Sequence, residues 1–177
     1  MGRDKYQNVR IGMTGRLDTM QAVVLDAKLD IFAEELALRQ QVADRYHDKI
    51  GNSVETPQLA AGASSSWAQY TIKLPADVDR DAVCSKMQAA GVPTAIYYPV
   101  PMHCQPPYRH FPIAGGGLQT TGRLSKCVMA LPMHPYLKAD TQDVIVAALK
   151  DALGTEGQVH LHVRNHAKKL GLLQYPA

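Results

Sequence analysis

Between residues 17 and 50 the chain contains neither glycine nor proline, the two residues that most readily end a helix. Such a run is far longer than the ordinary helix of about three turns. It predicts one long helix, and whatever else the chain folds into must accommodate that rod. Asp18 stands where a side-chain oxygen can cap the first turn, Gln21 completes a capping-box-like pair, and Gly51 supplies the stop. Ala22, Leu25, Leu29, Phe32, Leu36, Arg39, Ala43, Tyr46 and Ile50 recur in steps of three and four, which predicts one continuous buried seam broken only by Arg39. Leu17, Met20, Val24, Ala27 and Ile31 form a second seam along the first half. A helix that is apolar on two sides must be covered on two sides. Burying a large aliphatic side chain is worth about 1.5–3 kcal/mol. A wet face of this size therefore forfeits an amount comparable with a domain's net stability, about 5–15 kcal/mol. A domain of this size is expected to cover one seam. The other asks for a partner subunit or a further domain, unless the helix is sandwiched inside one compact unit.

Composition narrows the classes. At 177 residues, with 46% hydrophobic and 20% charged residues, the chain holds one globular domain with a real core, or one domain and a tail. No apolar stretch is long enough to cross a bilayer, and the chain does not open on a basic region followed by an apolar one, so a cytoplasmic location is expected. Cys84, Cys104 and Cys127 are widely spaced, odd in number and lack a CxxC pattern, which predicts free thiols rather than a disulfide framework or a zinc site. The formal charge of +3 equals the contribution of Arg164, Lys168 and Lys169, all of which follow the last acid, Glu156. The body is neutral, and nucleic-acid binding by the folded part, which needs a basic face, is not expected.

Beyond the helix, residues 52–66 read as a short strand and a polar loop. From Trp67 to Leu74 the pattern alternates, with Ala68, Tyr70, Ile72 and Leu74 on one face and Trp67, Gln69, Thr71 and Lys73 on the other, as in a half-buried strand ended by Pro75. Asp79 caps a predicted helix that runs to about Ala90 with Ala82, Val83, Met87 and Ala90 inward. Residues 94–98 form a second strand and complete a β-α-β unit. A long loop follows, rich in proline and glycine over 99–117, then a helix over 121–129 and an extended turn over 131–137. Asp140 is expected to cap a last helix with Val144, Ala148, Leu149 and Ala152 on one stripe and Gly154 at its end. The sum is a small α/β domain whose long helix connects to something else.

Three clusters have the residue types for chemistry. Gly12, Met13, Thr14, Gly15 and Arg16 precede the helix. Backbone N–H groups, a hydroxyl and a guanidinium there suit an anion such as a phosphate, while a purely structural turn is the other reading. Tyr97, Tyr98 and His103 sit where a strand enters the long loop; they can hydrogen-bond a polar substrate or simply edge a core. His134 lies between Pro132 and Pro135 in a rigid turn, where a hydrogen bond to the backbone is the simpler role. No local sequence pairs a nucleophile with a base. The glycines 115–117 lack the Lys-Ser/Thr ending of a P-loop and read as a linker. His160, His162 and His166 lie in the tail without acidic or thiol partners, so no specific metal site is expected.

Three segments fall in the order and spacing of one known family. They are Lys5 and Tyr6 with Arg10 through Ala22, Trp67 to Ile72 through Tyr97, Tyr98 and Pro99, and Leu131 to Pro135. The chain closely resembles, over about residues 2–153, the C-terminal half of the DegT/StrS-type sugar-nucleotide aminotransferases. The resemblance implies an α/β fold, the small C-terminal domain of the aspartate aminotransferase (type I pyridoxal-phosphate) fold preceded by a long helix. It implies residues 1–50 as an interface turn and connecting helix, 51–153 as the small domain, and 154–177 as a basic, histidine-containing tail without family counterpart.

The implied activity is transfer of an amino group to a nucleotide-linked keto sugar, with pyridoxal 5'-phosphate as cofactor, for surface polysaccharide or amino-sugar synthesis. The family's Schiff-base lysine and most of its cofactor cradle belong to a preceding domain. None of Lys5, Lys28, Lys49, Lys73 or Lys86 stands in that lysine's motif, so the chain is not expected to transaminate alone. Thr14 matches the asparagine that reaches the cofactor phosphate of the neighbouring subunit; a hydroxyl is shorter and offers a single donor. Arg16, Tyr97 and Tyr98 match positions near the substrate. The implied partner is a second copy or a full-length homologue. A non-catalytic remnant or dimerisation module is the alternative.

Overall fold

The computed structural model describes residues 6–13 and 15–154. The tail expected beyond residue 154, with His160, His162 and His166, lies outside the described residues, as do Lys5 and Thr14. Helix α1 spans Thr19–Ile50. Asp18 caps it as expected, its carboxylate accepting from the Gln21 amide at 2.9 Å. Gly51 ends it with a φ of 55°, in the region that favours glycine.

The expected continuous seam is corrected. Ala43, Tyr46 and Ile50 are buried, and Val42 joins them, but Leu25, Leu29 and Phe32 are exposed. So are Leu17, Met20, Val24 and Ile31 of the second seam. The periodicity is real; the cover is not among the described residues. The small domain reaches only the C-terminal part of α1, and both seams stay bare along its first half, with Met20 at 82% exposure.

Strand β1 (Tyr70–Lys73) and strand β2 (Val128–Leu131) pair antiparallel, Tyr70 opposite Leu131 and Ile72 opposite Met129. Isolated antiparallel bridges extend this pair on both sides, Glu55 to Lys73 and Ala95 to Ala130. β2 is a correction, because the sequence pattern assigned Val128 and Met129 to a helix and Leu131 to a turn. Helix α3 (Gln119–Cys127) runs into β2 without a break, and a short apolar run carries no period that separates strand from helix. The strand expected over 94–98 reduces to the single bridge at Ala95, which with β1 flanks β2. The expected β-α-β unit through α2 (Arg80–Ala89) is therefore corrected to a two-stranded sheet with one bridge on its far side.

Tyr70, Ile72 and Leu74 share the buried face as expected, but Ala68, expected with them, is exposed and lies ahead of the strand, which begins at Tyr70. Trp67 does not take the opposite face. It adopts a left-handed backbone, φ 48°, before the strand begins. This breaks the alternation and turns its indole inward, where Nε1 donates to Gln40 Oε1 at 2.7 Å.

One cluster gathers Tyr46 and Ile50 of α1, Ile72 of β1, Val83 and Met87 of α2, Met129 of β2, and Ile145 and Leu149 of α4 (Ala139–Leu153). Asp79 caps α2 through the Asp81 and Ala82 amides, but Ala82 itself is exposed. Asp140 lies in the first turn of α4 rather than at its cap, which is Lys138. Gly154 ends α4 with a left-handed φ of 73°, as expected. Polar contacts from Gln142 and Asp143 help to fasten α4 to α1. The buried Gln142 amide donates to Val42 O at 2.9 Å, and Asp143 receives Arg45 at 2.7 Å and Lys49 at 3.3 Å.

Where cover on α1 gives out, Glu35 is buried at 6% exposure. The Tyr136 hydroxyl donates to it at 2.9 Å and Lys28 approaches at 3.2 Å. These two donors hold the Glu35 carboxyl below its usual range.

Two outcomes follow for stability. Leu149→Ala empties a fully buried site on α4 and should cost about 2–5 kcal/mol in urea unfolding. The lowered Glu35 carboxyl stabilises the fold above the unfolded carboxyl range, and that contribution disappears as pH falls through the folded value. Tyr136→Phe should therefore be less stable than wild type at neutral pH, with the difference closing in acid; a difference independent of pH would contradict this origin.

Candidate functional site

The Ala95–Ala130 bridge, with N–O distances of 3.2 and 2.7 Å, fixes the segment that ends in Tyr97 and Tyr98 against β2. Pro99 and Pro101 follow at once, and proline cannot donate to a continuing ladder. The chain therefore leaves the sheet edge at the two tyrosines. The peptide between them is cis. Their rings lie 5.6 Å apart at 72°, and the ring of Tyr6 meets Tyr98 at 6.0 Å and 71°. Both contacts are edge-to-face, the arrangement favoured by ring quadrupoles. Tyr98 remains 61% exposed. The result is a ladder of three phenols with an open face.

The loop expected over 99–117 has internal order, with short 3-10 turns at Met102–Cys104 and Pro106–Tyr108. Between them lies Gln105, one of the few buried polar residues at 4% exposure. Its Oε1 accepts from the Asn8 amide at 3.0 Å and its Nε2 donates to Tyr6 O at 2.7 Å. The sequence reading passed over both Gln105 and Tyr6 as site residues. A glutamine among prolines signals only that the loop contains an amide; its partners lie nearly a hundred residues away.

Of the sequence-predicted residues, Tyr97 and Tyr98 come together. Arg16 is exposed and, among the described residues, makes no hydrogen bond or ion pair with them. Thr14 lies outside the described residues. Gly12 and Gly15 do not adopt a left-handed φ, and an added Cβ would meet nothing within 4 Å of either. Nothing among the described residues requires them to be small. His103 is half-buried in the first 3-10 turn. His134 is exposed, and partial desolvation, with Arg39 nearby, lowers its imidazole pKa. An open depression of about 380 Å³ lies elsewhere, lined by His47, Asn52, Glu55, Thr56 and Gln58 among others, and shares no residue with the tyrosine ladder.

The family model of the DegT/DnrJ/EryC1/StrS aminotransferase family matches residues 1–150. The chain belongs to this family. It is 40% identical over 150 residues to the UDP-2-acetamido-2-deoxy-3-oxo-D-glucuronate aminotransferase of Pseudomonas aeruginosa, a match covering 84% of this chain and 40% of that enzyme. It is 33% identical over 149 residues to the UDP-N-acetyl-3-dehydro-alpha-D-glucosamine 3-aminotransferase of Acidithiobacillus ferrooxidans, covering 84% of this chain and 39% of the relative. Among solved structures, a DegT DnrJ EryC1 StrS aminotransferase from Brucella abortus superimposes with a TM-score of 0.73 at 41% identity, over 89% of this chain and 40% of that one.

The chain thus spans about 40% of the length of the curated relatives it matches. The fold expected from the resemblance, a long helix leading into a small α/β domain of the aminotransferase architecture, is the fold of this family member. Among the described residues, no helix is long and apolar enough to cross a membrane.

The exposure of the ladder has a chemical signature. Limited nitration with tetranitromethane should modify Tyr98 and the exposed Tyr136 well before Tyr46 and Tyr70, which are fully buried. Burial also pushes the Tyr70 phenol up to about 12. Peptide mapping by mass spectrometry reads the order, and early modification of Tyr46 or Tyr70 would contradict this packing.

Proposed function

We propose that this chain is the C-terminal portion of a pyridoxal-phosphate-dependent aminotransferase that aminates a nucleotide-linked 3-keto sugar, and that it contributes the substrate side of the active site. The observation that carries the reading is the 40% identity, sustained over 150 residues, to a relative named for a UDP-linked 3-oxo sugar. The chemistry of the exposed groups agrees with it. Tyr97 and Tyr98 offer aromatic faces and phenol hydroxyls to a sugar and its base, and Arg16 offers a forked donor to a diphosphate. In this reading residues 1–50 form the interface turn and connecting helix, 51–153 the small domain, and 154–177 an appended tail.

The cofactor, when bound, supplies an electron sink for the transferred amino group. The described residues do not by themselves fit it. Lys28, Lys49 and Lys73 are paired with Glu35, Asp143 and Glu55, and Lys86 donates to Ala152 O. None stands ready to bond a carbonyl. Thr14 is proposed to reach the cofactor phosphate of a neighbouring subunit, as its place in the motif implies.

The bare first half of α1 supports a partner, either a second copy or a full-length homologue. It also favours the second reading, in which the chain is a non-catalytic module that pairs with such a homologue.

Absorbance spectroscopy tests the first reading. The purified chain with pyridoxal phosphate should give no stoichiometric aldimine band that glutamate discharges, and such a band would overturn the proposed inactivity of the chain alone. Sedimentation with a full-length relative should show a complex that Val24→Glu with Leu29→Glu abolishes. Joint activity of that complex above the relative's own would support a catalytic contribution; an unchanged rate would support the non-catalytic module.

A further inference from the structure

We propose that Gln105 is the positioning residue of the tyrosine ladder: its side-chain amide latches residues 6–8 onto the 97–105 loop and so holds Tyr6 and Tyr98 as one surface. This rests on the reading of Tyr97 and Tyr98 as substrate-facing, and adds a residue that acts through them.

The geometry uses the amide fully. Oε1 accepts from Asn8 N at 3.0 Å, while Nε2 donates to Tyr6 O at 2.7 Å and to Val100 O at 3.4 Å. A carbonyl and the N–H two residues on are what a neighbouring strand would engage, so Gln105 imitates one rung of a sheet with a side chain. The two carbonyls and one N–H also fix the amide's orientation, because a flipped amide would set oxygen against oxygen and donor against donor. The Gln105 backbone is held too, its N–H donating to Met102 O and its carbonyl accepting from Tyr108 N, each at 3.0 Å.

A buried amide stripped of these partners is strongly disfavoured, so segment and loop must move together. The segment includes Tyr6, whose ring meets Tyr98, and continues to Arg16. One side chain therefore links the ladder to a segment nearly a hundred residues away in the sequence.

Hydrogen exchange at the Asn8 amide, measured on the full chain, tests the latch. Wild type should protect this amide, and Gln105→Leu should accelerate its exchange by about tenfold. Gln105→Glu is isosteric and separates hydrogen bonding from packing. As a neutral acid it keeps one donor and one acceptor; once ionised it keeps no donor and faces two carbonyl oxygens. Asn8 protection in Gln105→Glu should therefore be near wild type at about pH 4 and lost at about pH 7.5. Equal Asn8 exchange in wild type and Gln105→Leu, or pH-independent protection in Gln105→Glu, would overturn the proposal.

Titration with UDP-N-acetylglucosamine, a stable hydroxyl counterpart of the keto sugar, separates this claim from the functional reading. Weaker binding by Gln105→Leu than by wild type supports the positioning role, and equal binding overturns it. Latch signatures in exchange with no binding by wild type would sink the substrate reading and leave the latch standing.

Discussion

Tyr46 sits where three parts of the chain converge, and its burial constrains how the others can pack. Its ring lies 5.0 Å from that of Tyr70 on β1, and its hydroxyl donates to Pro132 O at 2.9 Å. Burial raises its pKa, so the phenol stays neutral and keeps its donor. The turn through Pro132 leads to α4, which docks on the same stretch of α1 through Gln142 and Asp143. The sheet, the turn and the last helix are thus referred to one end of α1. The other end carries no comparable anchor among the described residues, and its apolar residues lie exposed.

Much of this was legible in the sequence. Asp18, Gly51, Asp79 and Gly154 act locally, and local rules located them. The buried face of β1 followed from alternation alone. What failed was decided at a distance. No pattern says that a helical seam will find cover at Tyr46 and none at Leu25, because cover belongs to the surroundings rather than to the helix. β2 was hidden because four apolar residues continue α3 without a breaker. Trp67 reversed its face through one backbone angle.

The site divides along the same line. Tyr97 and Tyr98 were visible as a polar-aromatic pair at a strand end, and a motif resemblance singled out Thr14 and Arg16. Gln105 was invisible. Its importance comes from carbonyls and an amide brought beside it by the fold, and an amide side chain carries no sequence signal of what it will bond. The curated relatives are much longer than the part aligned with this chain, which covers about 40% of the first of them.

Gly12 and Gly15 draw a consequence from this division. A methyl group at either position meets nothing among the described residues and strains no backbone angle. Among the described residues, the contacts that hold the fold leave these two positions out. The buried set answers to heat and denaturant, whereas these two glycines are silent to both. A survey that ranks positions by unfolding alone would therefore file them among the dispensable.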